Sequence, residues 1–287
     1  MKAVLAIVIA FGASFCTNYS TYMQKKAVDA LPRLNWRFSW TVAKSFFTNR
    51  PWLGAMAVDA LGTALFMVAL IFAPVSIVEP ILTAGIALLA YLAIKKLGER
   101  PSRRDLIAIG ITVLGVILLA VSLAEGLPQT KQYDALPLAL ITLAVAAAAA
   151  GIPLTLQLSK RGSIAAGLGI SGGLVIGIAG VFSRLLMGNF GGRWYLWLPA
   201  CLAAYPLGFG LFQAALQRGK AVVVAPLYNG LVVCVPIVMG SVALNESLPR
   251  SPALSALRIA AFALIVLGAV FLSGKTAGAG LTFREKP

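Results

Sequence analysis

Along its whole length the chain is a succession of apolar runs about twenty residues long, separated by short connections that hold most of its charge. A helix that crosses the hydrocarbon core of a bilayer needs about 20 mostly apolar residues. That template recurs at 3–23, 51–73, 76–97, 104–123, 135–156, 163–187, 195–216, 221–244 and 254–273. Nine such runs in 287 residues leave no room for a soluble domain. The pattern therefore predicts an all-α polytopic membrane protein of about nine transmembrane helices.

Residues 33–50 follow a different rule. Projected on a helix, Arg37, Thr41, Lys44, Ser45 and Thr48 form one polar face, with Trp36, Trp40, Ala43 and Phe47 opposite. Crossing the membrane would set the two central cations in hydrocarbon at about 2.5–3.5 kcal/mol each. An amphipathic helix lying in the interface keeps them in water, with the tryptophans as anchors. The interfacial reading is adopted; a tenth span is the alternative.

Composition agrees with the pattern. The chain is 60% hydrophobic and 11% charged, with mean hydropathy +0.90, where a soluble domain is about a quarter charged. The net charge of +15 does not describe a nucleic-acid groove, because the basic residues sit in the connections. One side collects 24–50, 95–104, 157–162, 217–220 and the C-terminal tail, with 18 of the 24 Lys and Arg; the other holds Lys2, Lys131, Arg193 and Arg250, and Arg184 and Arg258 fall within spans. Positive charge accumulates on the cytoplasmic side. The chain is expected to be a multi-pass protein of the plasma membrane, C-terminus cytoplasmic and N-terminus outside. Only Lys2 precedes the first run, while Lys25, Lys26, Arg33 and Arg37 follow it, so it reads as an uncleaved span and not a signal peptide.

Several chemistries are excluded at this stage. The chain has no histidine, which removes Ser-His triads, histidine proton relays and the usual zinc sites. Cys16, Cys201 and Cys234 all lie in spans, so no disulfide framework is indicated. No Walker, thiol or metal-cluster motif is present, and neither an enzyme nor a cofactor is expected. GLGISG at 167–172 matches a dinucleotide fingerprint but lies inside a span; Gly169, Gly173 and Gly177 read as a close helix-packing face.

An internal repeat gives the first functional inference. Residues 57–80 and 203–226, at a constant shift of 146, share Ala57/Ala203, Leu61/Leu207, Gly62/Gly208, Leu65/Leu211, Phe66/Phe212, Ala69/Ala215, Leu70/Leu216, Val78/Val224 and Pro80/Pro226. LGER at 97–100 is similar to LNES at 244–247, and VLGVIL at 113–118 to VLGAVF at 266–271. By the charge topology the matching spans run in opposite directions. Inverted repeats are the construction of many secondary transporters, with the substrate near the midplane between them. The expected division is 1–130 and 131–287. The first spans, 3–23 and 135–156, run the same way and break the relation unless 33–50 also crosses.

These pieces resemble the drug/metabolite transporter superfamily of EamA-like proteins and, within it, the NIPA-type magnesium transporters. The likeness is carried by Lys25–Lys26 closing the first span, FAPVSIVEP at 72–80, LGER at 97–100, VAPLYNG at 224–230 and LNES at 244–247. It implies transport of a small solute by alternating access, Mg²⁺ or another divalent cation in the narrower family, and a proton-coupled export of an organic metabolite or drug in the wider one. The narrower family carries a carboxylate in the second span where this chain has Thr63; here the acid is Asp59, a helical turn earlier.

Asp59 and Glu79 are the only charged side chains between Arg50 and Lys95. Asp59 is the ninth residue of its span, about 12 Å from one boundary and close to midplane. An intramembrane acid is a functional-site hypothesis by default; a protonated, hydrogen-bonded role in the bundle is the plainer alternative. Asp59, with Glu79, is the candidate metal ligand. Glu79 falls near the outer face, at a depth similar to Arg184 and Arg258, so an outer charge pair or gate is expected there. Pro80 and Pro226 are expected to break their helices. Ser14, Thr17, Asn18 and Thr21 lie on one face of the first span, and with Thr63, Gln213, Tyr228 and Asn229 they are the candidate pathway, or else interhelical hydrogen bonders. The implied partners are the lipid bilayer and the solute; a homodimer is open, and a non-transporting membrane scaffold is the alternative of another class.

Overall fold

The computed structural model describes residues 2–34, 39–73, 75–123, 133–158, 163–188, 194–244, 249 and 251–273. Every regular element among them is helical: α1 Lys2–Val28, α2 Trp40–Phe47, α3 Arg50–Phe72, α4 Val75–Ala84, α5 Ile86–Lys96, α6 Arg103–Val121, α7 Ala135–Leu158, α8 Ile164–Gly188, α9 Trp194–Arg218, α10 Ala221–Ala243 and α11 Pro252–Ser273. Seven of these, α3 and α6 to α11, are long and apolar enough to cross a membrane. The protein is thus a polytopic all-α membrane protein.

Two expectations about helix boundaries change. Among the described residues of 33–50, helix is confined to α2 and the first residue of α3, and the eight residues of α2 measure about 12 Å against a core of about 30 Å. An element of that length cannot be a tenth span. Trp36 and Arg37, which the amphipathic projection used, lie outside the described residues. The run 76–97 is interrupted, but not where the proline suggested: α4 continues through Pro80 and the chain breaks at Gly85. Pro226 likewise sits inside an unbroken α10. A proline removes one donor and costs one hydrogen bond, and neighbouring helices support the backbone on either side. At Gly85 the cause is different. A Cβ there would lie 2.1 Å from Ser14 Oγ and 2.4 Å from Asn18 Nδ2. Close approach of α1 requires a bare backbone at this point.

Helix directions follow from paired contacts. Gly54 faces Met23 and Gly62 faces Thr17, so α3 is antiparallel to α1. Gly172 meets Gly208 while Ser183 Oγ lies 2.9 Å from Tyr205 Oη, so α9 is antiparallel to α8. The predicted glycine face is real: Gly169, Gly173 and Gly177 lie against Val224, Tyr228 and Val235, making α8 parallel to α10. Gly62 and Gly208, one repeat length apart, have the same job. A Cβ on Gly62 would be 2.7 Å from Thr17 Cγ2 of α1, and one on Gly208 would be 2.7 Å from Ile176 Cγ1 of α8. α9 thus packs on α8 through a bare glycine as α3 packs on α1. The remaining helix, α7, is pinned to α8 through Ser171 Oγ, which donates to the Ala149 carbonyl at 2.6 Å.

One end of the bundle gathers the basic connections. There Lys25 Nζ donates to the Leu216 carbonyl at 2.7 Å, Arg218 Nη2 to the Leu34 carbonyl, and Lys220 Nζ to the Arg100 carbonyl at 2.7 Å. The opposite end holds Ser122, Asp134, Ala243 and Arg258, joined in part by Asp134 N donating to Ala243 O at 2.9 Å. Among the described residues, the basic connections 24–34, 95–104 and 217–220 meet at one end.

Candidate functional site

A cavity of about 300 Å³ lies at the centre of the bundle, walled by α1, α3, α4, α5, α6, α9 and α10. Of the expected pathway residues, Thr17, Asn18, Thr21, Asp59, Tyr228 and Asn229 line it, as does Pro226. Helical periodicity explains why the first-span stripe survives: positions i, i+1, i+4 share one side of α1 and face the same void.

Hydrogen bonding gives that stripe a definite chemical sense. Thr17 Oγ1 donates to the Ala13 carbonyl at 3.0 Å, and Thr21 Oγ1 to the Thr17 carbonyl at 3.0 Å. Thr112 Oγ1, across the cavity on α6, donates to Ala108 O at 2.9 Å. Asn18 Nδ2 donates to Ser14 O at 2.9 Å. Each of these groups spends a proton on its own helix. A hydroxyl has one proton and two lone pairs, and an amide keeps its carbonyl oxygen free. These side chains therefore turn acceptor oxygen to the cavity beside the Asp59 carboxylate, while Tyr228 and Asn229 bring donor groups to the same wall.

Three candidates fall elsewhere. Ser14 Oγ turns away and donates to the carbonyls of Ile81 and Leu82, at 3.0 and 3.2 Å, beside the break at Gly85. It is an interhelical tie, the plainer of the two readings. Thr63 is exposed on the outside of α3. Four residues overshoot a full helical turn by about 40°, whereas seven fall short of two by only about 20°, so Phe66 shares the cavity with Asp59 and Thr63 does not. Gln213 is buried beneath the cavity without lining it.

Of the expected outer charge pair, the two arginines can be placed. Arg258 is buried with its Nε donating to Ser122 Oγ at 3.2 Å and Nη2 to Ser122 O at 3.0 Å. It thus holds the end of α6, where a cation complements the carbonyl end of the helix dipole. Arg184 is half-buried late in α8. The Glu79 side chain, for both its gate and its metal role, lies outside the described residues. Among the described residues no group of three His, Cys, Asp or Glu side chains could enclose a metal ion.

Sequence reasoning missed Gln24, Thr83 and Thr112, all of which line the cavity. Gln24 had a signal: it continues the α1 stripe at i+3 from Thr21. It missed the basic-end carboxylate as well. Gly98, at φ 68°, turns the chain out of α5 and carries Glu99 onto the start of α10. There its carboxylate accepts from Ala221 N at 2.7 Å and Val222 N at 3.1 Å. Burial pushes the Glu99 carboxyl above its ordinary range, opposed by those two N–H donors and by the charge of Lys25. LGER, quoted above only as a likeness, is thus a device for capping a helix of the other half of the chain.

The fold and cavity define a polytopic α-helical membrane protein with a central cavity whose largely apolar wall carries Asp59 and a few hydroxyl and amide groups. In sequence it is similar to the probable magnesium transporter NIPA9 of Arabidopsis thaliana, with 27% identity over 283 residues, 93% of this chain and 81% of the relative. The NIPA-type likeness therefore extends along nearly all of the chain. No family model matches it, and no solved structure matches it.

Proposed function

We propose that the protein is a secondary transporter that carries a small cation through the central cavity, with Mg²⁺ bearing its water shell as the first candidate. The observation that carries this reading is the polarity of the wall: Thr17, Thr21, Thr112 and Asn18 commit protons to their own helices and face the cavity with oxygen. Mg²⁺ dehydrates reluctantly and usually keeps several waters. Hydrated, it presents O–H donors outward, which acceptor oxygens would take up while Asp59 supplies charge. Asp59 is the one carboxylate among the described residues of the wall, which suits such an outer-sphere cargo better than a stripped ion. The similarity to a protein named as a magnesium transporter supports the same choice.

The packing supports two inverted repeats, with α1, α3, α4–α5 and α6 matched to α8, α9, α10 and α11, and α7 as an added helix. Pairing α1 with α8 makes every matched pair antiparallel in the charge topology and removes the inconsistency at 3–23 and 135–156. Alternating access by rocking of the repeats about the cavity follows from that construction. The basic end would be cytoplasmic in the plasma membrane.

A second reading rests on the aromatic walls. Phe66, Phe209, Phe212 and Tyr228 all line the cavity, and Phe212 stacks on Tyr228 with centroids 4.2 Å apart. Rings beside a carboxylate also suit an organic cation, moved in exchange for protons. Flux into proteoliposomes, with Mg²⁺ outside and a pH-sensitive dye inside, separates the two. Mg²⁺ entry that Asp59→Asn abolishes, with normal insertion of the variant, is the expected result. Full activity in Asp59→Asn would overturn the assignment of the acid; absence of Mg²⁺ flux in the wild type would move the search to organic cations.

A further inference from the structure

The cavity comes close to the basic end. Gln24 and Phe212, both on its wall, stand about one and about two turns from the ends of their helices at Val28 and Arg218, or about 6–9 Å. Hydrogen-bonded side chains fill this thin layer. Nearest the cavity, Trp52 Nε1 donates to Gln213 Oε1 at 3.2 Å and Gln213 Nε2 to Gln24 Oε1 at 2.6 Å, one chain across α3, α9 and α1. Next to it, Lys25 Nζ donates to the Leu216 carbonyl and to Asp29 Oδ1, each at 2.7 Å. Further out, Gln217 Oε1 accepts from Leu34 N at 2.8 Å, and Gln217 Nε2 donates to Pro32 O at 3.0 Å. Glu99 on α10 and Lys220 on the Arg100 carbonyl complete the layer. Apart from the Lys25–Asp29 pair, every one of these bonds joins α9, α10 or the turn between them to the chain before α6.

We propose that this layer is a gate at the basic end, latched by Lys25, Glu99, Gln217 and Lys220 around the α9–α10 turn, and that in this structure the gate is shut. This rests on the reading of the cavity as a cation path. The choice of partners carries the inference. A helix leaves its last carbonyls and its first N–H groups without partners of their own. Only Gly219 and Lys220 separate α9 from α10, and Lys220, the N-cap of α10, makes no capping bond with its side chain. Both helix ends are capped from the other part of the chain: Leu216 O by Lys25, Ala221 N and Val222 N by Glu99. Water can take over such groups, so little is lost when the turn moves off. Contacts elsewhere in the bundle are of another kind. Gly62 against α1, Gly208 against α8 and Gly173 against α10 bring helices together with no space for a side chain, and such packing has no substitute in water. Lys25 is also buried, which a lysine almost never is unless paired. The pairing that keeps it there is the latch itself.

Accessibility tests this without a transported substrate. Val232→Cys, midway along α10 on the cavity wall, is made in full-length protein carrying Cys16→Ala, Cys201→Ala and Cys234→Ala. A membrane-impermeant maleimide is applied to membrane vesicles of either orientation. Lys26→Cys, at an exposed position and in a separate sample, marks the basic face. Lys25→Met keeps the stem and loses the donor. It is expected to speed labelling from the basic end by about tenfold, as loss of one hydrogen bond from a charged group would, and to slow labelling from the opposite end. Gln217→Ala and Lys220→Met, at half-buried positions, should act in the same direction. Ser171→Ala, which loses the bond from α8 to α7, should leave both rates as in the parent. Labelling that rises from both ends together would show a loosened bundle and overturn the gate. Rates equal to the parent in the latch variants would overturn it too, and Gln217→Ala and Lys220→Met decide even where Lys25→Met does not fold. Reciprocal labelling in a protein that moves neither Mg²⁺ nor an organic cation would leave the gate standing and remove the proposed cargo.

Discussion

Glu99 is held where its chemistry is most consequential, between the basic end of α5 and the first N–H groups of α10. Because burial raises its pKa, the folded protein binds a proton more tightly there than the unfolded chain does. The stability this contributes is fully present below the ordinary value of 4.5 and is lost as pH rises through the raised value. Glu99→Gln, which cannot titrate, should flatten that part of a melting-temperature profile against pH in detergent; an unchanged profile would show that the carboxyl is not the titrating group. At this scale the sequence was most informative about α1. Thr17, Asn18 and Thr21 could be placed on one face by counting, and Asp59 stood out because acids are rare in spans. Thr112 could not be read, since a single hydroxyl in an apolar helix gives no sign of which neighbour it will face.

Among the elements, ten of the eleven helices cover the nine runs that hydropathy marked out, with α4 and α5 sharing one run and α2 set apart. Their ends were legible because short charged connections punctuate long apolar ones. The break at Gly85 was not legible, because it depends on α1 arriving at 2.1 Å from a virtual Cβ, a tertiary fact; Pro80 drew attention to the right helix at the wrong residue. Gly62 and Gly208 make the repeat testable here. Substituting either by Leu should force its helix from its neighbour and lower the melting temperature by several degrees, as overpacking of about 1–3 kcal/mol does. The two effects should be alike, α3 from α1 and α9 from α8. A large effect at one site with none at the other would argue against equivalent roles.

For the whole molecule, the order of helix contacts and the gathering of basic connections at one end both agree with the proposed inverted repeats. Charge topology alone left the first spans in conflict, because sequence order pairs the helix at 3–23 with the one at 135–156. The proposed pairing of α1 with α8 draws on packing, and no property of either sequence segment announced it. The acid of the cavity was legible in the sequence, whereas the hydrogen bonds beneath it were not. Gln24, Gln213 and Trp52 are distant in sequence, on α1, α9 and α3, and only the fold makes them one chain.

That chain begins at an indole, and the consequence is optical. Trp52 is edge-on to Phe46 and Phe47 of α2 and tilted against Phe209, so its emission comes from a dry, aromatic pocket with one hydrogen bond. With the other four tryptophans replaced, Trp36, Trp40, Trp194 and Trp197, the steady-state spectrum should report the water content of that pocket. Under the proposed alternating access it should move to longer wavelength whenever water reaches the ring. The fluorophore is intrinsic, so no attached dye is needed.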